Sequence, residues 1–183
     1  PLPNAVLFPH VFLPLHVFEP RYREMVSDAL KGDRLIGMVL LRPGWKADYE
    51  GRPPVYPIGC IGVITHVARL DDGRFNIVLR GMDRFRILAE HHDRAYRRAV
   101  YETLAELAPA ADDGRLMARH REQLDAMLSA MAGKAPALAS RLGTRAVTTS
   151  TGGMNDEEFI NALAQYLEFD PIEKQALLEK EGV

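Results

Sequence analysis

The sequence predicts an α+β protein in which a mostly antiparallel pseudo-barrel of short strands, residues 1–107, is followed by an α-helical bundle, residues 108–183. Three observations lead there. Apolar residues in the first half come in short runs cut by prolines. Several of those runs alternate apolar and polar with the period of a half-buried strand, and no long helix intervenes between them. Beyond Leu107 the chain turns alanine-rich, with apolar residues at helical spacing.

Pro3, Pro9 and Pro14 divide the opening into Ala5 to Phe8 and Leu13 to Phe18, which suit edge or bulged strands because proline cannot donate to a central ladder. Pro20 opens a helix, since its fixed φ and missing N–H cost nothing in the first turn. Tyr22, Met25, Val26, Ala29 and Leu30 form its apolar stripe and Gly32 its stop. A strand follows over Leu35 to Leu41. Arg42 to Pro57, with Pro43, Gly44, Gly51, Pro53 and Pro54, is a loop longer than mere connection requires. Ile58 to Leu70 reads as a buried strand, and Asp71-Asp72-Gly73 as its hairpin turn. Arg74 to Arg80 alternates, with Phe75, Ile77 and Leu79 on one face. Arg84 to His91 repeats this with Phe85, Ile87 and Ala89 inside, and Ala95 to Leu104 is the last strand.

Pro109 and Asp112-Asp113-Gly114 mark the boundary to the helical half. Leu116, His120, Leu124, Met127, Leu128 and Met131 trace a stripe that Gly133 and Pro136 end. A shorter helix over Pro136 to Leu142 and a Thr/Ser/Gly linker, Thr148 to Gly153, are expected next. Asn155 with Glu158, and Asp170-Pro171 with Glu173, signal two final helices whose apolar faces carry Phe159, Ile160, Leu163 and Leu167, then Leu177 and Leu178.

Leu7-Phe8-Pro9, Leu13-Pro14-Leu15 and the run Phe18-Glu19-Pro20-Arg21-Tyr22-Arg23-Glu24-Met25 resemble the start of the amino-terminal substrate-binding domain of Lon-type ATP-dependent proteases. Pro57 to Ile87 is similar to that family's second signature, with Gly59, Gly62, Gly81, Arg84 and Ile87 in its places. Phe159 to Glu179 is similar to its helical half, including Pro171, Gln175, Leu177 and Leu178. The similarity spans nearly the whole chain and is weakest from about Pro109 to Gly153. It implies a PUA-like pseudo-barrel and a non-catalytic role in binding exposed hydrophobic or unfolded protein segments, with a protease or chaperone system as partner.

The chemistry of the family's other modules is missing. The Gly133-Lys134 pair has Leu128 where a P-loop requires its first glycine and Ala135 where it requires Ser or Thr. Ser27, Ser129, Ser140 and Ser150 stand in no glycine-flanked elbow. Neither protease nor ATPase activity is expected of this chain, nor any cofactor. His91-His92-Asp93 is the one histidine cluster, and neighbours in a strand point to opposite faces, so no metal is expected. The formal net charge of −2 gives no general attraction to nucleic acid or anionic membrane, and no apolar run approaches the roughly 18 residues of a membrane span. A single cysteine, Cys60, points to a reducing cytoplasm. A first residue of Pro suggests that a few residues of a first strand lie upstream, while Gly182 near the other end favours a stand-alone protein over the alternative of an excised N-terminal fragment of a full protease of the resembled family. No feature specifies an oligomeric state.

Two binding surfaces are expected. Trp45, Tyr49 and Tyr56 lie in the long polar loop, where they either anchor partner peptides or fold back as a cover, and Val11 and Phe12 form a second apolar surface. The competing reading is an RNA-binding module. His66 to Tyr101 holds eight arginines against five acids, and Arg74, Arg80, Arg84 and Arg86 are expected on outward strand faces. Few aromatics alternate with them, and outward charges also serve simply to keep a sheet soluble, so nucleic acid is the less favoured partner.

Overall fold

The computed structural model describes residues 1–105, 114–134 and 154–180. Five antiparallel strands, β1 (Phe12–Val17), β2 (Leu35–Met38), β3 (Ile58–Arg69), β4 (Phe75–His91) and β5 (Arg98–Thr103), form one sheet. Its order is β1-β4-β3-β2, and β5 also pairs with β4. β1 lies along Phe75 to Arg80 and β5 along Phe85 to His91, so β4 carries the two in succession on one side and β3 on the other. Helices α1 (Pro20–Ala29), α2 (Gly114–Lys134), α3 (Asp156–Tyr166) and α4 (Pro171–Leu178) and a short 3-10 helix over Trp45–Asp48 complete the described elements.

Local chemistry explains most of these boundaries. Gly73, at φ 79°, takes the left-handed position of the β3–β4 turn, and the Leu70 carbonyl accepts its N–H at 2.9 Å. Pro20 occupies the first turn of α1, whose stripe is centred on fully buried Val26. Tyr22, Met25, Ala29 and Leu30 pack beside it on the main core of Leu7, Ile36, Cys60, Ile64, Ile77 and Leu79. Asn155 and Glu158 close a reciprocal capping box on α3, with N···O distances of 2.8 and 3.2 Å. The Glu173 carboxylate accepts the Asp170 N–H at 2.9 Å ahead of Pro171 in α4. Pro14 is tolerated inside β1 because that strand is an edge.

Several expectations are corrected. Ala5 to Phe8 is no strand. It is a buried irregular segment in which Leu7 enters the main core while Val6 and Phe8 enter a second cluster with Val11, Leu40, Ala164 and Leu178. Its N–H groups find other partners, as at Phe8, which donates to the Gln165 side chain at 3.3 Å. The ladder expected over Leu35 to Leu41 ends at Met38, after which Leu40 and Leu41 make isolated bridges to Leu2 and Val55. Arg74–Arg80 and Arg84–His91 are one 17-residue strand rather than two. Within it the pairs Gly62–Gly81 and Cys60–Arg84 set three steps of β4 against two of β3. That bulge turns Arg84 inward beside Cys60, while Phe85 remains buried and Arg86 exposed. Arg84, expected on the outer face, is therefore 5% exposed, and it donates to the Leu178 carbonyl at 3.0 Å and to that of Lys180. The Pro136–Leu142 helix and the Thr148–Gly153 linker lie outside the described residues.

The helices join the sheet and the opening segment through packing and hydrogen bonds. Ala164 and Leu178 share the second cluster with the opening segment. Gln175, almost fully buried, donates from Nε2 to the Ile58 carbonyl at 3.0 Å and to Glu179 at 2.9 Å. Arg84 caps the end of α4 as described. Leu124 of α2 packs against Phe159 and Leu163, and Arg121 of α2 stacks over the Phe159 ring at 4.9 Å while donating to the Met154 carbonyl at 2.8 Å.

Replacing Arg84 by Met keeps a stem of similar length and deletes the donors, so unfolding free energy is expected to fall by about 1.5–3 kcal/mol, the range for hydrogen bonds to a charged group. Urea denaturation followed by circular dichroism measures it. A Cβ on Gly81 would stand 2.0 Å from the Phe8 carbonyl oxygen, a backbone atom. Gly81→Ala is therefore expected to cost about 1–3 kcal/mol in the same assay. Gly32→Ala, where the nearest atom is 4.0 Å away, is expected to stay within about 0.5 kcal/mol of the parent.

Candidate protein-binding surfaces

The start of β1 is set by a turn at His10, a non-glycine residue at φ 63°. His10 donates its N–H to the Gly81 carbonyl at 3.0 Å and the Val11 carbonyl accepts the Gly81 N–H at 2.8 Å, so residues 10–12 run beside residues 80–82. This geometry turns Val11 inward, 4% exposed, and Phe12 outward, 49% exposed. Met82 follows buried Gly81 and is 40% exposed. Tyr166, the last residue of α3, is 39% exposed, and its hydroxyl meets the Phe12 backbone. Burial pushes its phenol above the usual tyrosine range, and the Phe12 backbone N–H opposes the shift. Three large apolar side chains from β1, β4 and α3 thus meet solvent on fixed backbone. His10, in the turn ahead of β1, and Glu157 of α3 stand 3.3 Å apart.

A second feature is a cleft of about 360 Å³ between β2 and β5. Met25 and Phe85 line it, and Phe18, Leu35 and Tyr101, 59%, 39% and 46% exposed, are further lining residues. Pro1 and Leu2 enter it. Both flanking strands have one open side among the described residues: β2 pairs with β3 alone, and β5 with β4 alone.

The residues singled out from sequence are dispersed. Val11 is corrected from surface to core, where it packs in the second cluster; Phe12 is exposed as expected. The loop aromatics fold back. Tyr49 donates its hydroxyl to Glu19 Oε1 at 2.6 Å and lies under the Arg21 guanidinium at 5.0 Å. Burial and the neighbouring Glu19 carboxylate raise its pKa. Tyr56 packs on the second cluster, with the Arg42 guanidinium 5.3 Å from its ring centre. Trp45 is half-buried and meets the Tyr49 ring edge-on at 5.2 Å. None of the five lines the cleft.

The four arginines make no continuous basic face. Arg74 pairs with Asp72 at 2.6 Å and Arg86 with Glu102 at 2.9 Å, Arg84 is buried, and Arg80 is exposed. Cys60 is fully buried, and its thiol donates to the Ile61 carbonyl at 3.4 Å. Among the described residues no three His, Cys, Asp or Glu side chains are grouped to hold a metal, and no helix is long and apolar enough to cross a membrane.

Sequence reasoning missed Met82, Tyr166 and the cleft. Met82 interrupts a clean alternation directly after Gly81, a signal that was legible; Tyr166 and the cleft depend on contacts between segments far apart in the chain.

Residues 1–183 match the family described as the ATP-dependent protease La (LON) substrate-binding domain. The Lon protease of Desulfosudis oleivorans is 23% identical over 179 residues, which is 98% of this chain and 21% of that protein. The chain thus spans about a fifth of that relative's length. The N-terminal domain of a Mycobacterium avium complex Lon protease superposes with a TM-score of 0.67 at 18% identity, covering 98% of this chain and 89% of that one. A Lon N-terminal domain protein from Xanthomonas campestris gives 0.60 at 19% identity, covering 99% and 88%. These two structures share the fold, and the family match extends from the first residue to the last. The chain belongs to the family of Lon substrate-binding domains.

Proposed function

We propose that this chain is a non-catalytic module that holds exposed hydrophobic or unfolded segments of other proteins for an ATP-dependent protease or chaperone system. The observation that carries this reading is the outward display of Phe12, Met82 and Tyr166 from β1, β4 and α3. Apolar side chains on a rigid frame bind apolar clients without demanding a particular sequence, and a flexible thioether such as that of Met82 adapts to differing shapes. The absence of P-loop and Ser–Lys motifs from the sequence supports a holding role over a catalytic one. The pseudo-barrel expected from sequence fits the same picture, as does a cytoplasmic setting in which the buried Cys60 thiol stays reduced. An RNA-binding role is less well supported, because Arg74 and Arg86 are engaged by carboxylates and Arg84 by main-chain carbonyls.

Capture of a labelled, permanently unfolded polypeptide by many copies of the chain displayed on one bead tests the proposal, because multivalent display registers contacts too weak to follow one module at a time. Phe12→Ser together with Met82→Ser is expected to weaken binding at least about tenfold, equivalent to about 1.4 kcal/mol, with a melting temperature close to the parent's. Absence of binding by the parent chain, or a double variant that binds equally well, refutes it. Trp45→Ala separates the surfaces: a larger loss there than at Phe12 and Met82 moves the site to the loop. Steep weakening with added salt points instead to a phosphate backbone as ligand.

A further inference from the structure

We propose that Arg80 makes the surface around Phe12 and Met82 selective for client segments that carry an acidic side chain among their apolar residues, through a guanidinium–carboxylate pair formed only with a bound client. The inference rests on the client-binding function proposed above and names which clients that surface prefers.

Strand register sets the neighbours of Arg80. Residues directly opposite one another in an antiparallel pair point to the same face of the sheet, with Cβ atoms about 4.5–5.5 Å apart. Arg80 of β4 stands opposite Phe12 of β1 on one side and opposite Val63 of β3 on the other. Phe12 and Arg80 are exposed and Val63 is half-buried, so the three make a row across the outer face with the cation at its centre. The row two residues further along, Pro14, Val78 and His66, contains no acid. Along β4 itself, Arg80 and Met82 are exposed on either side of buried Gly81. The guanidinium therefore stands among the apolar side chains that a client covers.

The neighbouring cations already have partners. Arg74 meets Asp72 at 2.6 Å, Arg86 meets Glu102 at 2.9 Å, and His10 meets Glu157 at 3.3 Å. Arg84 is buried against main-chain carbonyls. Arg80, by contrast, has no hydrogen-bond, ion-pair or ring partner among the described residues, and Asp83, exposed just past Met82, forms no ion pair with it.

That difference decides what the surface favours. An apolar segment lying over Phe12 and Met82 takes water away from the Arg80 guanidinium and gives it no acceptor in return, which is unfavourable. A carboxylate in the same segment supplies the acceptor, and its two oxygens match the planar fork of the guanidinium. Lysine or arginine at that place brings a second cation into the row and is rejected. A single unpaired arginine offers no run of contacts to successive phosphates, so the charge suits a polypeptide carboxylate better than a nucleic acid. The preference is modest at each contact, about two- to fivefold for an exposed ion pair. Repetition along one client multiplies it.

The test displays many copies of the chain on a bead and offers two unfolded polypeptides of the same length and the same apolar residues, one with Glu at regular intervals and the other with Gln in those places. The parent is expected to capture the Glu form at least about threefold more strongly at low salt, with the preference shrinking as salt is added. Arg80→Gln is expected to lose the preference, and Arg80→Glu to shift it toward a third polypeptide with Lys at the same places. Arg86→Gln changes net charge by the same amount as Arg80→Gln but removes a cation already paired with Glu102, and is expected to keep the preference. Equal capture of the Glu and Gln forms by the parent overturns the inference and leaves client binding standing. A preference that survives Arg80→Gln, or that Arg86→Gln removes as fully, overturns it as well. Capture of neither polypeptide by the parent removes the client-binding reading, and the selectivity with it.

Discussion

One guanidinium ties the two halves of this protein together. Arg84 rises from the middle of β4 and reaches the carbonyl of Leu178, the last residue of α4, and that of Lys180 just beyond it. Helix ends leave carbonyls without intrahelical partners, and a cation placed there also complements the helix dipole. A buried guanidinium in turn requires acceptors, because an unpaired charge away from water is costly. Each side thus answers the other's requirement. Gln175, one turn earlier in α4, bonds the Ile58 carbonyl at the start of β3 and fixes the same helix to the neighbouring strand. With both contacts made, Leu178 and Ala164 are held against Val6, Phe8, Val11 and Leu40, and a core spans the opening segment and the C-terminal helices.

That clamp depends on a bulge, and the bulge on a glycine. The three-residue spacing between Gly81 and Arg84 is the spacing over which β4 takes an extra step against β3. Gly81 lets the Phe8 carbonyl pass within 2.0 Å of where a Cβ would stand. The opening segment can then lie against β4 where the ladder with β1 ends and the ladder with β5 has not begun. Gly81 and Arg84 therefore do different work on one piece of backbone: one admits the amino-terminal segment and the other anchors the carboxy-terminal helix. Met82, between them, is left outside. The exposed apolar surface is in this sense a by-product of the same irregularity that unites the fold.

How much of this could be read from sequence follows from which interactions are local. The Asp71-Asp72-Gly73 turn, Pro20 at the head of α1 and the Asn155–Glu158 cap are short-range chemistry, and each forms where the residues indicate. Arg84 was misplaced because its direction depends on how β4 pairs with β3, whereas strict alternation from Arg74 assumes no interruption. Val11 and Phe12 were read as one surface, but consecutive residues in extended backbone face opposite ways, and the His10 turn decides which of them is buried. The polarity of the long loop was legible; the acceptor for its Tyr49 hydroxyl, Glu19, is 30 positions away and was not. The cleft was least accessible of all, since it is bounded by strand edges that touch through neither sequence nor ladder.

In the proposed function, the scale of the exposed surface limits how tightly a client is held. Fully burying a large apolar side chain is worth about 1.5–3 kcal/mol, so three that are already half covered offer roughly 3 kcal/mol in total. An unfolded client gives up conformational freedom when it settles there, which offsets part of that gain. What remains is weaker than the roughly 4 kcal/mol of a millimolar complex. A single module with this surface therefore releases a client as readily as it takes one up. Firm retention has to come from several copies acting on one chain, where each further contact is made at the high effective concentration set by the first. Weak single contacts of this kind discriminate by length and by repetition of apolar segments. A folded protein showing one exposed side chain would escape, and an unfolded chain showing many would be retained.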